Sequence, residues 1–233
     1  MTSPSSASAS RKRRKAGASW DAARQASYRQ SNPEQSLLFH MVLDASPSMC
    51  GKDADNLIRA YNMYQNWLRS HVPPMSQVEV TTFSNSHTTD AATPVGMAPD
   101  LDKGRYDPRR GDDTNIYGTT VAVIEAGRQS PGQHILVLFT DGMDSEGLSA
   151  DALGVVKAYV TEAQADGWLC VFLGAYPEAL ETGKAMGFPA DNCLVFTSDK
   201  IPEAFTTLTE ATQRYLSAPV ATRKLLTQGG FFA

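Results

Sequence analysis

Asp44-Ala45-Ser46-Pro47-Ser48 follows directly on the apolar run Leu37-Leu38-Phe39-His40-Met41-Val42-Leu43, so one carboxylate and two hydroxyls are presented where a buried strand stops. A second apolar run, Ile135-Leu136-Val137-Leu138-Phe139, leads into Thr140-Asp141-Gly142 and delivers a second carboxylate in the same way. Between the two, Asp112-Asp113-Thr114-Asn115 supplies a further hydroxyl. Hard dications such as Mg²⁺ take oxygen ligands in near-octahedral geometry and keep several waters while binding one or two carboxylates directly. Asp44, Ser46, Ser48, Thr114 and Asp141 meet that demand. Mg²⁺ is the expected cofactor, with Mn²⁺ and Ca²⁺ as alternatives. Helix capping and turn formation explain many Asp/Ser strings, but capping asks for no second carboxylate at another strand end.

Groups so far apart in sequence meet only if two strand ends lie side by side. From Gln35 onward apolar runs alternate with stretches of helical periodicity, the pattern of repeated βα units. Strands are expected over roughly 36–43, 77–83, 134–139, 168–173 and 193–196, with a short antiparallel edge strand within 87–92. Helices are expected over roughly 53–70, 116–128, 150–165, 177–186 and 202–217. The first places Leu57, Ile58, Tyr61, Tyr64 and Leu68 on one face and is stopped by Pro73-Pro74. Residues 93–113 form the longest irregular stretch, closed by Thr114. The fold class that follows is α/β: a Rossmann-like, doubly wound, mainly parallel six-stranded sheet with one short antiparallel edge strand and helices on both faces. Ligands of such sheets bind outside the carboxyl ends of the strands, where strand order reverses. Asp44 and Asp141 are expected to converge there. Two carboxylates held close repel each other, and a cation between them turns the repulsion into attraction.

Asp-x-Ser-x-Ser after the first strand, a later lone Thr and a strand ending in Thr-Asp-Gly together resemble the von Willebrand factor A (VWA) family and its metal-ion-dependent adhesion site. The resemblance covers roughly residues 36–217, and Phe172-Leu173-Gly174-Ala175 through Tyr215 is similar to small stand-alone VWA proteins of bacteria and their phages. It implies Ser46 and Ser48 as direct hydroxyl ligands, Asp44 and Asp141 as carboxylate ligands often acting through water, and Thr114 as the ligand from the middle loop. It also implies one open coordination position, taken by a carboxylate of a protein partner, and a coupling between metal position and sliding of the helix near 202–217. Two departures stand out. Pro47 occupies a position where these motifs often carry Gly, which stiffens the loop. Asp112 and Asp113 replace the usual small residues before Thr114, while Asp144 and Glu146 follow Asp141. The expected partner-binding rim is therefore acidic, with Asp112, Asp113, Asp144 and Tyr117 on it, and Lys52, Lys103, Arg105, Arg109 and Arg110 as the cations that could offset it. Tyr106 and Tyr117 fit either partner contacts or ordinary loop packing.

A chain of 233 residues with 42% hydrophobic content has room for one substantial core. Its net charge of −4 is too small to imply a highly charged partner for the whole molecule. No run reaches the ~18 apolar residues of a membrane span, and the basic N-terminal cluster lacks the apolar segment of a secretory signal. A cytoplasmic address without a membrane partner is expected. Cys50, Cys170 and Cys193 follow no metal or redox spacing. The last two read as core thiols and Cys50 as a neutral spacer after the metal loop. Residues 1–19, with Arg11-Lys12-Arg13-Arg14-Lys15, read as a disordered basic arm that is a solvated tail or a contact for nucleic acid or an acidic surface. Residues 20–35 read as an N-terminal extension, 36–217 as the VWA-like domain and 218–233 as a tail that frays or docks on a partner.

Three function classes fit these readings. The first is a non-enzymatic, metal-ion-dependent protein-binding module whose cation bridges to a partner side chain. The second is a structural or assembly component whose basic arm touches nucleic acid. The third and least favoured is a metal-assisted hydrolase. No nucleophile elbow, Walker loop or dinucleotide fingerprint supports an enzyme. Nor does any of His40, His71, His87 and His134 show a partner in the sequence, and His40 and His134 read as structural.

Overall fold

The computed structural model describes residues 36–110, 112–142, 144 and 150–233. The basic arm, the 20–35 extension and Glu146 lie outside them. Among the described residues the strands are β1 (Leu37–Asp44), β2 (Gln77–Phe83), β3 (His87–Thr89), β4 (Thr93–Pro94), β5 (Gln133–Thr140), β6 (Leu169–Gly174) and β7 (Cys193–Val195). They form one sheet in the order β3-β2-β1-β5-β6-β7, with β4 also paired to β2. Strands β2, β1, β5, β6 and β7 run parallel, and β3 and β4 pair antiparallel with β2. The six expected strands are present. The seventh, β4, sits inside the stretch expected to be irregular; its Pro94 is tolerated because an edge position leaves its missing N–H without a ladder to break.

All eight residues of β1 are buried. Continuous apolar runs rather than alternation mark strands covered on both faces. On one face lie α1 (Lys52–His71) and α5 (Ile201–Ser217), whose Leu57, Tyr61, Tyr64, Phe205, Leu208 and Tyr215 pack on Phe39, Met41 and Val137. On the other lie α2 (Ile116–Gly127), α3 (Ala150–Ala165) and α4 (Ala179–Ala185), packed on Val42, Leu136, Leu138 and Phe172. Helix α1 stops at His71 because the residue before Pro73 is driven out of the helical region: Val72 is extended at φ −96°, ψ 157°. Asn115 caps α2, its Oδ1 accepting the Gly118 N–H at 2.9 Å.

Beyond Ser217 the chain folds back on its own core. A short helix α6 (Val220–Leu226) follows, and Phe231 then enters the core beside Tyr215, ring to edge at 6.2 Å. Asn192, fully buried, holds this return by accepting the Phe231 N–H at 3.0 Å and donating to Leu226 O at 3.2 Å. The sequence domain limit at 217 is thereby extended, because one aromatic plug has no periodicity to announce it.

His40 and His134, for which the sequence suggests no partners, have them: the two rings hydrogen-bond to each other across β1 and β5 at 2.9 Å. Helix α2 lies directly on this pair. A Cβ at Gly127 would sit 2.4 Å from Trp168 Cη2 and 2.8 Å from His40 Cε1, so only glycine allows the approach. Of the cysteines, Cys170 is buried, Cys193 half-buried and Cys50 exposed. Burial pushes both the Cys170 and the Cys193 thiol up to about 12. No helix among the described residues is long and apolar enough to cross a membrane.

Candidate metal centre

The register of the sheet brings the predicted residues to one edge. Asp44 is the last residue of β1 and lies opposite Phe83, the last of β2. One position earlier, Leu43 pairs with Phe139, which puts Thr140 and Asp141 at the same level on β5. Both carboxylates thus leave the carboxyl ends of central neighbouring strands. After Asp44 the chain turns at once into a 3-10 turn over Pro47–Met49, with Pro47 opening it. That turn lifts Ser48 toward Asp141: Ser48 Oγ donates to Asp141 Oδ1 at 2.8 Å, and Ser46 Oγ and Ser48 Oγ lie 3.0 Å apart.

Asp44 forms the floor, with 0% of its surface exposed. Its Oδ1 accepts the Ser46 N–H at 2.8 Å and its Oδ2 accepts the Thr140 hydroxyl at 2.6 Å. Tyr106, buried in the loop beneath, donates its phenolic O–H to the Asp44 backbone carbonyl. Ser46 is buried, Asp141 half-buried and Ser48 exposed, so the oxygens grade from a closed floor to an open mouth. Thr114 is buried on the neighbouring loop, which the Asn115 N–H ties to Ser84 O, just past β2, at 2.8 Å. Asp44, Ser46, Ser48 and Asp141 are therefore joined in one hydrogen-bonded group, and Thr114 stands in the loop beside them.

Two carboxylates and several hydroxyls are a donor set for a hard dication. Among the described residues no three His, Cys, Asp or Glu side chains gather around one point, so the hydroxyls must complete any such shell. The electrostatics of the two acids agree with that fit. The Asp141 carboxyl is pushed up to about 6, first by burial and then by the charge of Asp44. Burial likewise raises the Asp44 carboxyl, against the pull of its bonds to Ser46 and Thr140.

The sign of the resulting pH dependence follows from where the protons sit. The folded state keeps a proton on Asp141 that an unfolded Asp would release near pH 4, so the metal-free fold loses stability as pH rises from about 4 through about 6. Thermal melts of wild type against Asp141→Asn should show a smaller loss in the variant, where only the raised Asp44 carboxyl remains. Added Mg²⁺ should raise the wild-type midpoint at pH 7 and much less at pH 5, where protons compete for the same oxygens.

The expected rim is corrected in two places. Asp144 is 3% exposed and faces inward, accepting the N–H groups of Ile116 at 2.7 Å and Tyr117 at 3.2 Å. It neutralises the unpaired donors at the start of α2 and presents nothing to a partner. Three of the five cations named as compensation hold ion pairs of their own: Lys103 with Asp55 at 2.7 Å, Arg105 with Asp90, and Arg109 with Asp107 at 2.8 Å. Asp112 is exposed, and Asp113 is half-buried with its Oδ1 accepting the Thr114 N–H at 3.1 Å. Tyr117 is half-buried against the core of that face, and Tyr106 is wholly internal, so loop packing describes both better than partner contact. Thr140, part of the Thr-Asp-Gly motif with no role of its own expected from the sequence, is the residue that holds Asp44 Oδ2. Its place immediately before Asp141, at a strand end, was the available signal.

No family model matches the chain, and no curated protein sequence matches it. Solved structures share its fold. The PilB minor pilin from Streptococcus sanguinis aligns with a TM-score of 0.63 at 12% identity, over 80% of this chain and 64% of that one. The vWF domain of the type V pili tip protein Mfa5 from Porphyromonas gingivalis gives 0.58 at 8% identity, over 80% and 98%. The ArnB paralog VWA2 from Sulfolobus acidocaldarius gives 0.53 at 18% identity, over 76% and 45%. The chain spans less than two thirds of the pilin and less than half of the VWA2 paralog. At these identities the likeness is one of fold: the chain has a VWA-like α/β architecture.

Proposed function

We propose that this chain is a metal-ion-dependent protein-binding module in which a divalent cation, held by Asp44, Ser46, Ser48, Thr114 and Asp141, bridges to a side chain of a partner protein. The observation that carries the reading is the bond from Ser48 Oγ to Asp141 Oδ1, which closes two separate strand-end loops around one point. When bound, the cation supplies a vertex that accepts an anionic oxygen from outside. The chain's own residues supply rigidity. Ser46 N–H and the Thr140 hydroxyl fix both oxygens of Asp44, and Tyr106 fixes its backbone, so the floor is set before any ligand arrives. The exposed Ser48 leaves the mouth accessible. Fold neighbours described as a pilin and a pilus tip protein are compatible with a binding role, as a fold-level analogy.

Affinity capture with the purified chain tests this directly. Partners retained in Mg²⁺ should elute in chelator and return when Mg²⁺ is restored, and Asp44→Asn should retain none of them. Equal retention in chelator would overturn the metal-bridged reading.

A further inference from the structure

Between the middle and the amino ends of the strands, away from the metal centre, lies a second polar group in which the His40 side chain is fully buried and that of Glu79 is 14% exposed. His40 Nδ1 is 2.5 Å from Glu79 Oε1, His40 Nε2 is 2.9 Å from His134 Nδ1, and His134 Nε2 is 3.1 Å from Ser130 O. The chain of contacts crosses β2, β1 and β5. Trp168 lies flat over both imidazoles, 4.9 Å from the ring of His40 and 4.1 Å from that of His134, within 7° of parallel.

Counting hydrogens fixes what this arrangement requires. A carbonyl oxygen only accepts, so His134 Nε2 must carry a hydrogen. One hydrogen lies between the two rings, and one lies between His40 and Glu79. Three hydrogens are needed, whereas two neutral imidazoles beside an ionised carboxylate hold two. We propose that Glu79, His40 and His134 form a buried clasp that retains one extra proton in the folded protein, and that withdrawing this proton breaks one link and loosens the three central strands. The charge has two sources of support, the Glu79 carboxylate at one end and the indole face of Trp168 above.

The other groups around the clasp do not compete for this role. Cys170, on the same sheet face, is held neutral by burial. Arg128, at the end of α2, bonds Glu162 of α3 at 2.9 Å, and Asp166, in the turn leading to Trp168, is exposed. On β1 and β5 the neighbours on this face are the apolar Leu38, Val42, Leu136 and Leu138.

Glu79→Gln separates the proposal from a merely structural role. The amide N–H of a glutamine donates the third hydrogen itself, so both rings become neutral and every link survives. Chemical denaturation between pH 7 and 8.5, above the ordinary histidine range of about 6.5, should show the wild-type folding equilibrium constant falling relative to the variant, by up to about tenfold per pH unit. Histidine ¹⁵N spectra of wild type at pH 7 give the independent arm. His40 and His134 together should keep three ring hydrogens. Parallel pH profiles for the two proteins, or two ring hydrogens on the pair at pH 7, would overturn the clasp. If Glu79→Gln fails to fold, the wild-type spectra alone decide.

Discussion

Asp44→Asn is expected to weaken Mg²⁺ or Mn²⁺ binding by on the order of 100-fold or more, measured by calorimetry, while leaving the metal-free fold intact. The geometry explains why the two effects separate. Asp44 Oδ1 accepts from Ser46 N–H, and an asparagine keeps that acceptor. At the other oxygen Thr140 now donates, but its hydroxyl also lies 3.0 Å from Gly142 O and can donate there instead, accepting from the new amide. No buried polar group is orphaned. What disappears is one of the two negative charges that attract a dication, and with it one cause of the raised Asp141 carboxyl. A variant that binds metal as wild type does would remove Asp44 from the ligand set. One that unfolds without metal would show its carboxylate to be structural.

The second large effect is expected far from the site. Phe231→Ala should cost about 3–5 kcal/mol in chemical denaturation, the range for emptying a fully buried aromatic position. Phe231 is 2% exposed, its ring meets Tyr215, its N–H bonds Asn192 Oδ1 at 3.0 Å and its carbonyl accepts from Arg214 at 3.0 Å. Phe232, half-buried, should cost far less when replaced in the same way. Equal small losses at both positions would mean that the segment merely rests on the surface.

Much of the architecture was legible because its signals are local. The runs before Asp44 and Asp141 are apolar on both faces, so their strands and the acids at their ends could be read directly. Helix α1 announced itself through Leu57, Tyr61, Tyr64 and Leu68 and was stopped by Pro73. What stayed hidden depends on tertiary register. Asp144 caps a helix 28 positions earlier in the chain, a pairing no spacing rule contains. The His40–His134 contact exists because β1 and β5 align Leu38 with His134, which places the two rings diagonally across the ladder. Strand β4 has two residues, too few for any alternation to show. Phe231 follows two glycines and reads as loose chain until the hollow beside Tyr215 is seen.

The contrast among the three cysteines has a practical consequence. With the thiols of Cys170 and Cys193 shielded and held protonated, a thiol-reactive dye has one address in the native protein, Cys50, at the end of the turn that carries Ser46 and Ser48. A fluorophore attached there would sense rearrangement of that turn, turning an otherwise idle side chain into an optical gauge of ion occupancy.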